Sequence, residues 1–232
     1  MNGQKHLARH EPGSSKTRYQ NIIFDLDGTL TDSADGLTAS ISYALKKMGA
    51  NINTSELRSF IGPPLQHSFR EKCGFTESEV LHAIKYFRDY YREKGLYENK
   101  LYPGAAKMLK TLYECDKKIY LATSKATIFA ETILQYFHID NLFTFIAGAT
   151  LDGSRVEKKE VLAYLIDNNS NLHHKETVMV GDRKHDIIGA RSFGFNSIAV
   201  TYGYGSIQEL SFEKPAYLVH SVPELEKVLT SS

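Results

Sequence analysis

Two carboxylates, Asp25 and Asp27, stand one residue apart at the end of the apolar run Ile22-Ile23-Phe24 and directly before Gly28. Where a strand ends and the chain turns, residues i and i+2 can face one pocket, so the pair can share a single reacting group. On a phosphoryl group the first carboxylate would attack phosphorus to give an aspartyl-phosphate. The second would protonate the leaving oxygen and later activate water. Leu26, between them, should point into the core. Taken alone, Asp27-Gly28 is also ordinary turn chemistry, but further polar residues close later apolar runs: Thr123 and Ser124 in LATSK, and Asp182 and Asp186 in VMVGDRKHD. Between those runs SRVEKKE offers Lys158 and Lys159. Asp25, Asp27, Asp182 and Asp186, if ionised, would repel a phosphate dianion even with one lysine among them. Like charges about 4 Å apart at an effective dielectric near 20 cost roughly 4 kcal/mol per pair, which calls for a cation. Hard oxygen ligands with no His or Cys partner point to magnesium. The nine histidines show no metal-ligand spacing.

Such residues need a frame that brings distant segments to one edge. Residues 22–26, 118–123, 143–147, 177–180 and 197–201 are apolar runs of the kind found in strands buried on both faces. They alternate with helical periods such as 105–112 and 157–166. The pattern is α/β: a Rossmann-like parallel sheet with helices on both faces, which binds ligands at the carboxyl ends of its strands. Residues 33–96 break the alternation. Leu37, Ile41, Leu45 and Met48, then Leu65, Phe69 and Cys73, then Val80, Ile84, Phe87 and Tyr91 recur at helical spacing, and Thr76 with Glu79 forms a capping box. The expected organisation is a core domain built from 19–32 and 101–232 with an inserted helical domain at 33–100. Its hinges fall at 31–35 and 97–104, and Pro103 is placed in the first turn of the next core helix. Residues 1–18 are polar and basic and read as a disordered tail, with His6 and His10 solvated.

At 232 residues and 42% hydrophobic content the chain can bury a substantial core. With 28 Lys and Arg against 27 Asp and Glu, the net charge of +1 gives no electrostatic case for a nucleic acid polymer or an anionic membrane. Cys73 and Cys115 are too few for a disulfide scaffold and fit a reducing, cytoplasmic setting. No apolar run approaches the roughly 18 residues of a membrane helix, and the N-terminus lacks a signal-peptide core.

Taken in order, DLDGT from Asp25 to Thr29, Thr123, a lysine at Lys158 or Lys159, and GDRKHD from Gly181 to Asp186 resemble the four-part signature of the haloacid dehalogenase superfamily of phosphohydrolases. The resemblance runs from about Tyr19 to the end. The insert, directly after the first strand, is similar to the helical cap of the phosphoglycolate phosphatase-like subfamily. The resemblance implies that Asp25 is the nucleophile and Asp27 the general acid/base. It also implies that Thr123, Ser124 and the lysine bind phosphate, and that Asp25, Asp27 and Asp182 hold magnesium with Asp186 behind them. Counting back from Val161, Leu162 and Leu165 puts Lys158 in the first helical turn; Lys159 is the alternate. His185 reads as structural or exposed, and Asp27 argues against dehalogenation, because the superfamily's dehalogenases lack that residue.

In FIGPPLQHSF, Gly62-Pro63-Pro64 forces a rigid loop. Related caps touch the leaving group with a loop in this place, which makes Gly62 and Arg70, with His67 nearby, candidates for substrate selectivity. A closing cap restricts the partner to a small phosphorylated metabolite. Phosphoglycolate and nucleoside monophosphates both fit; the GPPL loop departs from the loop associated with phosphoglycolate enzymes and favours a 5′-nucleotidase-like or broad-range phosphatase. A phosphomutase of the same fold and a non-hydrolytic phosphate-binding regulator are the alternatives, since a phosphotransfer receiver domain carries an adjacent acidic pair and no cap. Monomer and homodimer both stay open.

Overall fold

A computed structural model describes residues 19–50 and 53–231; the expected tail at 1–18, with His6 and His10, lies outside the described residues. The centre of the molecule is the strand β1 (Asn21–Phe24), every residue of which is buried. It pairs in parallel with β4 (Lys118–Ala126) on one side and β6 (Thr177–Gly181) on the other, so that Ile23 stands level with Tyr120 and Met179. β5 (Phe145–Ala149), β7 (Asn196–Val200) and β8 (Tyr217–Val219) complete a six-stranded sheet in the order β5-β4-β1-β6-β7-β8. The chain leaves β1 for β4 on one side and later returns for β6 on the other, which puts a topological switch point at β1.

Side-chain alternation along β1 sorts the helices onto two faces. Ile22 and Phe24 pack with α4 (Ala105–Glu114), α5 (Thr127–Tyr136) and α9 (Val222–Thr230) through Met108, Ile133 and Leu225. Ile23 faces the opposite way, onto Val161, Leu162 and Leu165 of α6 (Lys158–Asp167) and Ala190 of α7 (Lys184–Ser192). A short helix, α8 (Ile207–Phe212), seats Leu210 against Ile187 and Ala199.

Between β1 and β4 the chain forms α1 (Ala34–Lys47), α2 (Leu65–Cys73) and α3 (Glu77–Tyr90), followed by a widened helical turn at Tyr91–Gly95. Ile41, Leu45, Phe69, Val80, Ile84 and Phe87 are all buried in one continuous cluster. The Thr76–Glu79 capping box is present in both directions. The connections to the sheet are tied as well: β2 (Thr31–Asp32) and β3 (Lys100–Leu101) pair antiparallel, a ribbon too short to register as a strand pattern.

Several boundaries differ from expectation. β1 stops at Phe24 because the carbonyl of Leu26 accepts from the N–H groups of Thr29, Leu30 and Thr31, closing a tight turn. Pro103 lies outside the first turn of α4. It shares a β-turn with Gly104, whose φ of 89° requires the left-handed region, and Ala105 N–H donates to Tyr102 O at 3.0 Å across it. β8 went unforeseen, being three residues at the sheet edge. No helix among the described residues is long and apolar enough to cross a membrane.

Ile23→Ala should lower stability by about 2 to 5 kcal/mol, because Ile23 is fully buried, whereas Leu81→Ala, at a side chain 68% exposed, should stay within about 0.5 kcal/mol. Urea unfolding midpoints of the two variants check this contrast.

Candidate active site

The carboxyl ends of β1, β4 and β6 meet at one edge. Asp25 follows β1 directly, and its N–H donates to Val180 O at 2.9 Å, which continues the pairing with β6 for one residue. Leu26 is fully buried, as its place between two site carboxylates requires. Gly28 then turns the chain with φ 85°; a Cβ there would fall 2.2 Å from Asp182 Oδ2, so this position excludes a side chain on two counts.

Asp182 follows β6 and is inaccessible to solvent. Its Oδ2 accepts from Tyr204 N–H at 2.7 Å and its Oδ1 from the Thr29 hydroxyl at 3.5 Å. Asp186, in the first turn of α7, accepts from Arg183 N–H at 3.1 Å. One oxygen each from Asp25, Asp182 and Asp186 lies within 4.8 Å of the others. The cation among them is Lys158, the first residue of α6: its Nζ stands 2.9 Å from Asp25 Oδ1, 2.8 Å from Asp186 Oδ1 and donates to Ala122 O at 2.7 Å. Lys159 points to solvent, so of the two lysines it is Lys158 that reaches the cluster.

Burial pushes Asp182 well above the usual carboxylate range, and the charges of Asp186 and Asp25 push the same way. Burial also raises Asp186, against the opposing pull of Lys158. For Lys158, burial favours the neutral amine, but the charges of Asp186 and Asp25 outweigh it and hold the ammonium. Three carboxylates against one ammonium leave the cluster short of positive charge, which is the donor set a hard divalent cation takes. The structure brings the carboxylate of Asp186 together with those of Asp25 and Asp182, and it pairs the carboxylate of Asp27 with Lys125, whose Nζ stands 3.0 Å from Asp27 Oδ2.

Asp25, Asp27, Thr123, Ser124, Lys158 and Asp186 all line one cleft. Thr123 is buried, and its hydroxyl oxygen accepts from Lys125 N–H at 3.3 Å. The opposite wall is apolar, with Phe60, Ile84, Phe87, Tyr91 and Phe129. Gly62 belongs to this wall; a Cβ there would fall within 1.7 Å of Arg183 Nη1, which donates to Ile61 O at 2.9 Å. Arg70 and His67 do not reach the cleft. Their exposed side chains pair with Glu77 and Glu71, because both lie on the outer side of α2. His185 lines the cleft half-buried, and burial, followed by the charges of Arg183 and Lys184, lowers it toward the neutral form.

Sequence reasoning missed Lys125, Tyr91 and Arg183. Lys125 stood in the LATSK motif two residues beyond Thr123, and Tyr91 was counted only as an apolar helical position. Burial lowers the Lys125 amine, yet Asp27 and Tyr91 together more than restore it, so this lysine is charged.

A family model for haloacid dehalogenase-like hydrolases matches residues 22–200. The chain belongs to this haloacid dehalogenase-like hydrolase family. Among relatives of this hydrolase, a 5′-nucleotidase of Pseudomonas aeruginosa is 40% identical over 215 residues, spanning 92% of the chain and 97% of the relative. The tyrosine-protein kinase PtkA of Mycobacterium tuberculosis is 38% identical over 221 residues, spanning 94% of the chain and 74% of that protein. The crystal structure of a predicted phosphatase from Clostridium acetobutylicum superposes with a TM-score of 0.86 at 42% identity, covering 91% of this chain and 98% of that one.

Gly28→Ala should cost about 1 to 3 kcal/mol, since a non-glycine residue there is strained and collides with Asp182. Thermal unfolding of the variant beside the unaltered hydrolase reads the loss.

Proposed function

We propose that this hydrolase is a magnesium-dependent phosphatase that releases inorganic phosphate from a small monoester by way of Asp25. The observation that carries the proposal is the convergence of Asp25, Lys158, Asp182 and Asp186 at one sheet edge, with Asp27 on the same cleft. A carboxylate oxygen of Asp25 forms a bond to phosphorus as the bond from phosphorus to the leaving oxygen breaks, and Asp27 gives that oxygen its proton. Asp27 then takes a proton from water, whose oxygen bonds to phosphorus as the aspartyl bond breaks. Thr123, Ser124 and Lys158 bind the phosphoryl oxygens. Asp25, Asp182 and Asp186 would hold magnesium, which supplies the positive charge that lets a phosphate dianion enter among carboxylates.

Residues 33–100 act as a cap on a core built from 19–32 and 101–232, and they supply selectivity. Phe60, Ile84 and Phe87 from this segment favour a leaving group with a flat apolar part. Together with the likeness to a protein named 5′-nucleotidase, this favours nucleoside monophosphates over phosphoglycolate. The likeness to a protein named tyrosine-protein kinase favours a second reading, in which a tyrosine hydroxyl takes the place of water as phosphoryl acceptor.

Phosphate release from nucleoside monophosphates and phosphoglycolate, with magnesium and with excess chelator, tests these statements. Release should require magnesium and run faster with the nucleotides; full activity in chelator would remove the metal from the proposal. Phosphate transferred to a tyrosine peptide in preference to water would favour the second reading. Asp25→Asn should lower kcat by about a thousandfold or more with substrate binding retained, and near-normal turnover in that variant would end the covalent route.

A further inference from the structure

The cleft holds a second buried lysine, which pairs with Asp27 and not with the carboxylates around Lys158. Lys125 lies at the end of β4 with its side chain 5% exposed, 3.0 Å from Asp27 Oδ2. The same ammonium donates to the hydroxyl of Tyr91 and sits 4.5 Å from the centre of that ring. Tyr91 comes from the helical segment, just after α3, and is itself fixed: it stacks on Phe87 at 5.3 Å and meets Phe129 of α5 edge-on at 5.4 Å. Asp27 Oδ1 is buried with no hydrogen-bond partner among the described residues. One oxygen of Asp27 is thus tethered, and the other is unpartnered but covered by protein at the side of the cleft that Asp27 lines.

We propose that Lys125 and Tyr91 are positioning residues for Asp27: Tyr91, carried by the helical segment, seats the Lys125 ammonium, and Lys125 holds one Asp27 oxygen so that the other meets the leaving-group oxygen. Two features of the geometry support this division. Lys158 already occupies the space between Asp25 and Asp186, so the two lysines are spatially separate. The tether also crosses from the helical segment to the sheet edge, so displacing that segment removes the hydroxyl partner of Lys125 and with it the fixed orientation of Asp27. Chemistry at Asp27 is thereby tied to the seating of the segment that lines the rest of the cleft.

This proposal rests on the phosphatase reading above, and its test separates the two. Substituted phenyl phosphates of one size but differing leaving-group basicity report how much a leaving oxygen depends on its proton, and kcat/KM reports the step in which it departs. For Lys125→Met, kcat/KM on phenyl phosphate should fall about 100-fold, within the range for general acid catalysis, and on 4-nitrophenyl phosphate by less than about 10-fold. Tyr91→Phe, which removes only a hydroxyl, should steepen the same dependence by a smaller factor and remains informative if Lys125→Met fails to fold. Thermal unfolding of both variants accompanies the kinetics. Equal losses on the two esters in either variant, or a raised KM with unchanged kcat, would overturn the positioning role and make Lys125 a general support or a binding group. No phosphate release from any ester by the unaltered enzyme would instead defeat the phosphatase reading, and this proposal with it.

Discussion

Lys158 is the constraint around which this site is built. A buried ammonium is costly unless every donor is matched, and here it is matched by Asp25 after β1, Asp186 in α7 and the Ala122 carbonyl of β4. Those three partners belong to three separate elements, so the same contacts fix the start of α6 against both sheet and helix. Asp182 is left to backbone and hydroxyl donors, and burial, followed by the charges of Asp186 and Asp25, raises its proton affinity.

The parallel sheet makes this concentration of charge possible. Its strands end together at one edge, so residues at the ends of β1, β4 and β6 that are far apart in the chain come within hydrogen-bond reach of one ammonium or of one another. Tight backbone turns then bring the groups closer than ordinary side chains allow: Gly28 and Gly203 both approach the Asp182 carboxylate where a Cβ could not fit. The helical segment contributes the opposite character. Its aromatic and aliphatic wall faces the charged edge across the cleft, and it meets that edge through polar contacts of its own, Tyr91 with Lys125 and the Ile61 carbonyl with Arg183.

Much of the architecture was legible in the chain because burial on both faces leaves a local trace. Five continuously apolar runs marked five of the six strands of the sheet, and the three- and four-residue spacings of Ile41, Phe69 and Ile84 marked the helices of the insert, since a helix must present one stripe to its neighbours. The edge strand Tyr217–Val219 and the ribbon joining Asp32 to Lys100 left no such trace: two or three residues cannot establish a period. Boundaries moved where a turn prevailed over a run, as at Phe24 and at Gly104.

Residue type and spacing alone established which acids could act, because the DxD step and the later GDRKHD are statements about local chain chemistry. Which partners those acids have was decided only by the tertiary structure. Lys158 and Lys159 are adjacent and chemically identical, and the helical rotation of α6 against the sheet sends one to the acids and the other to water. Arg70 and His67 sat in the right neighbourhood of the sequence and on the wrong side of α2. Asp27 is one residue from Asp25, yet its carboxylate pairs with Lys125, 98 residues away. Coulombic pairing depends on separation in space, and separation in space between distant segments exists only once the sheet has assembled them.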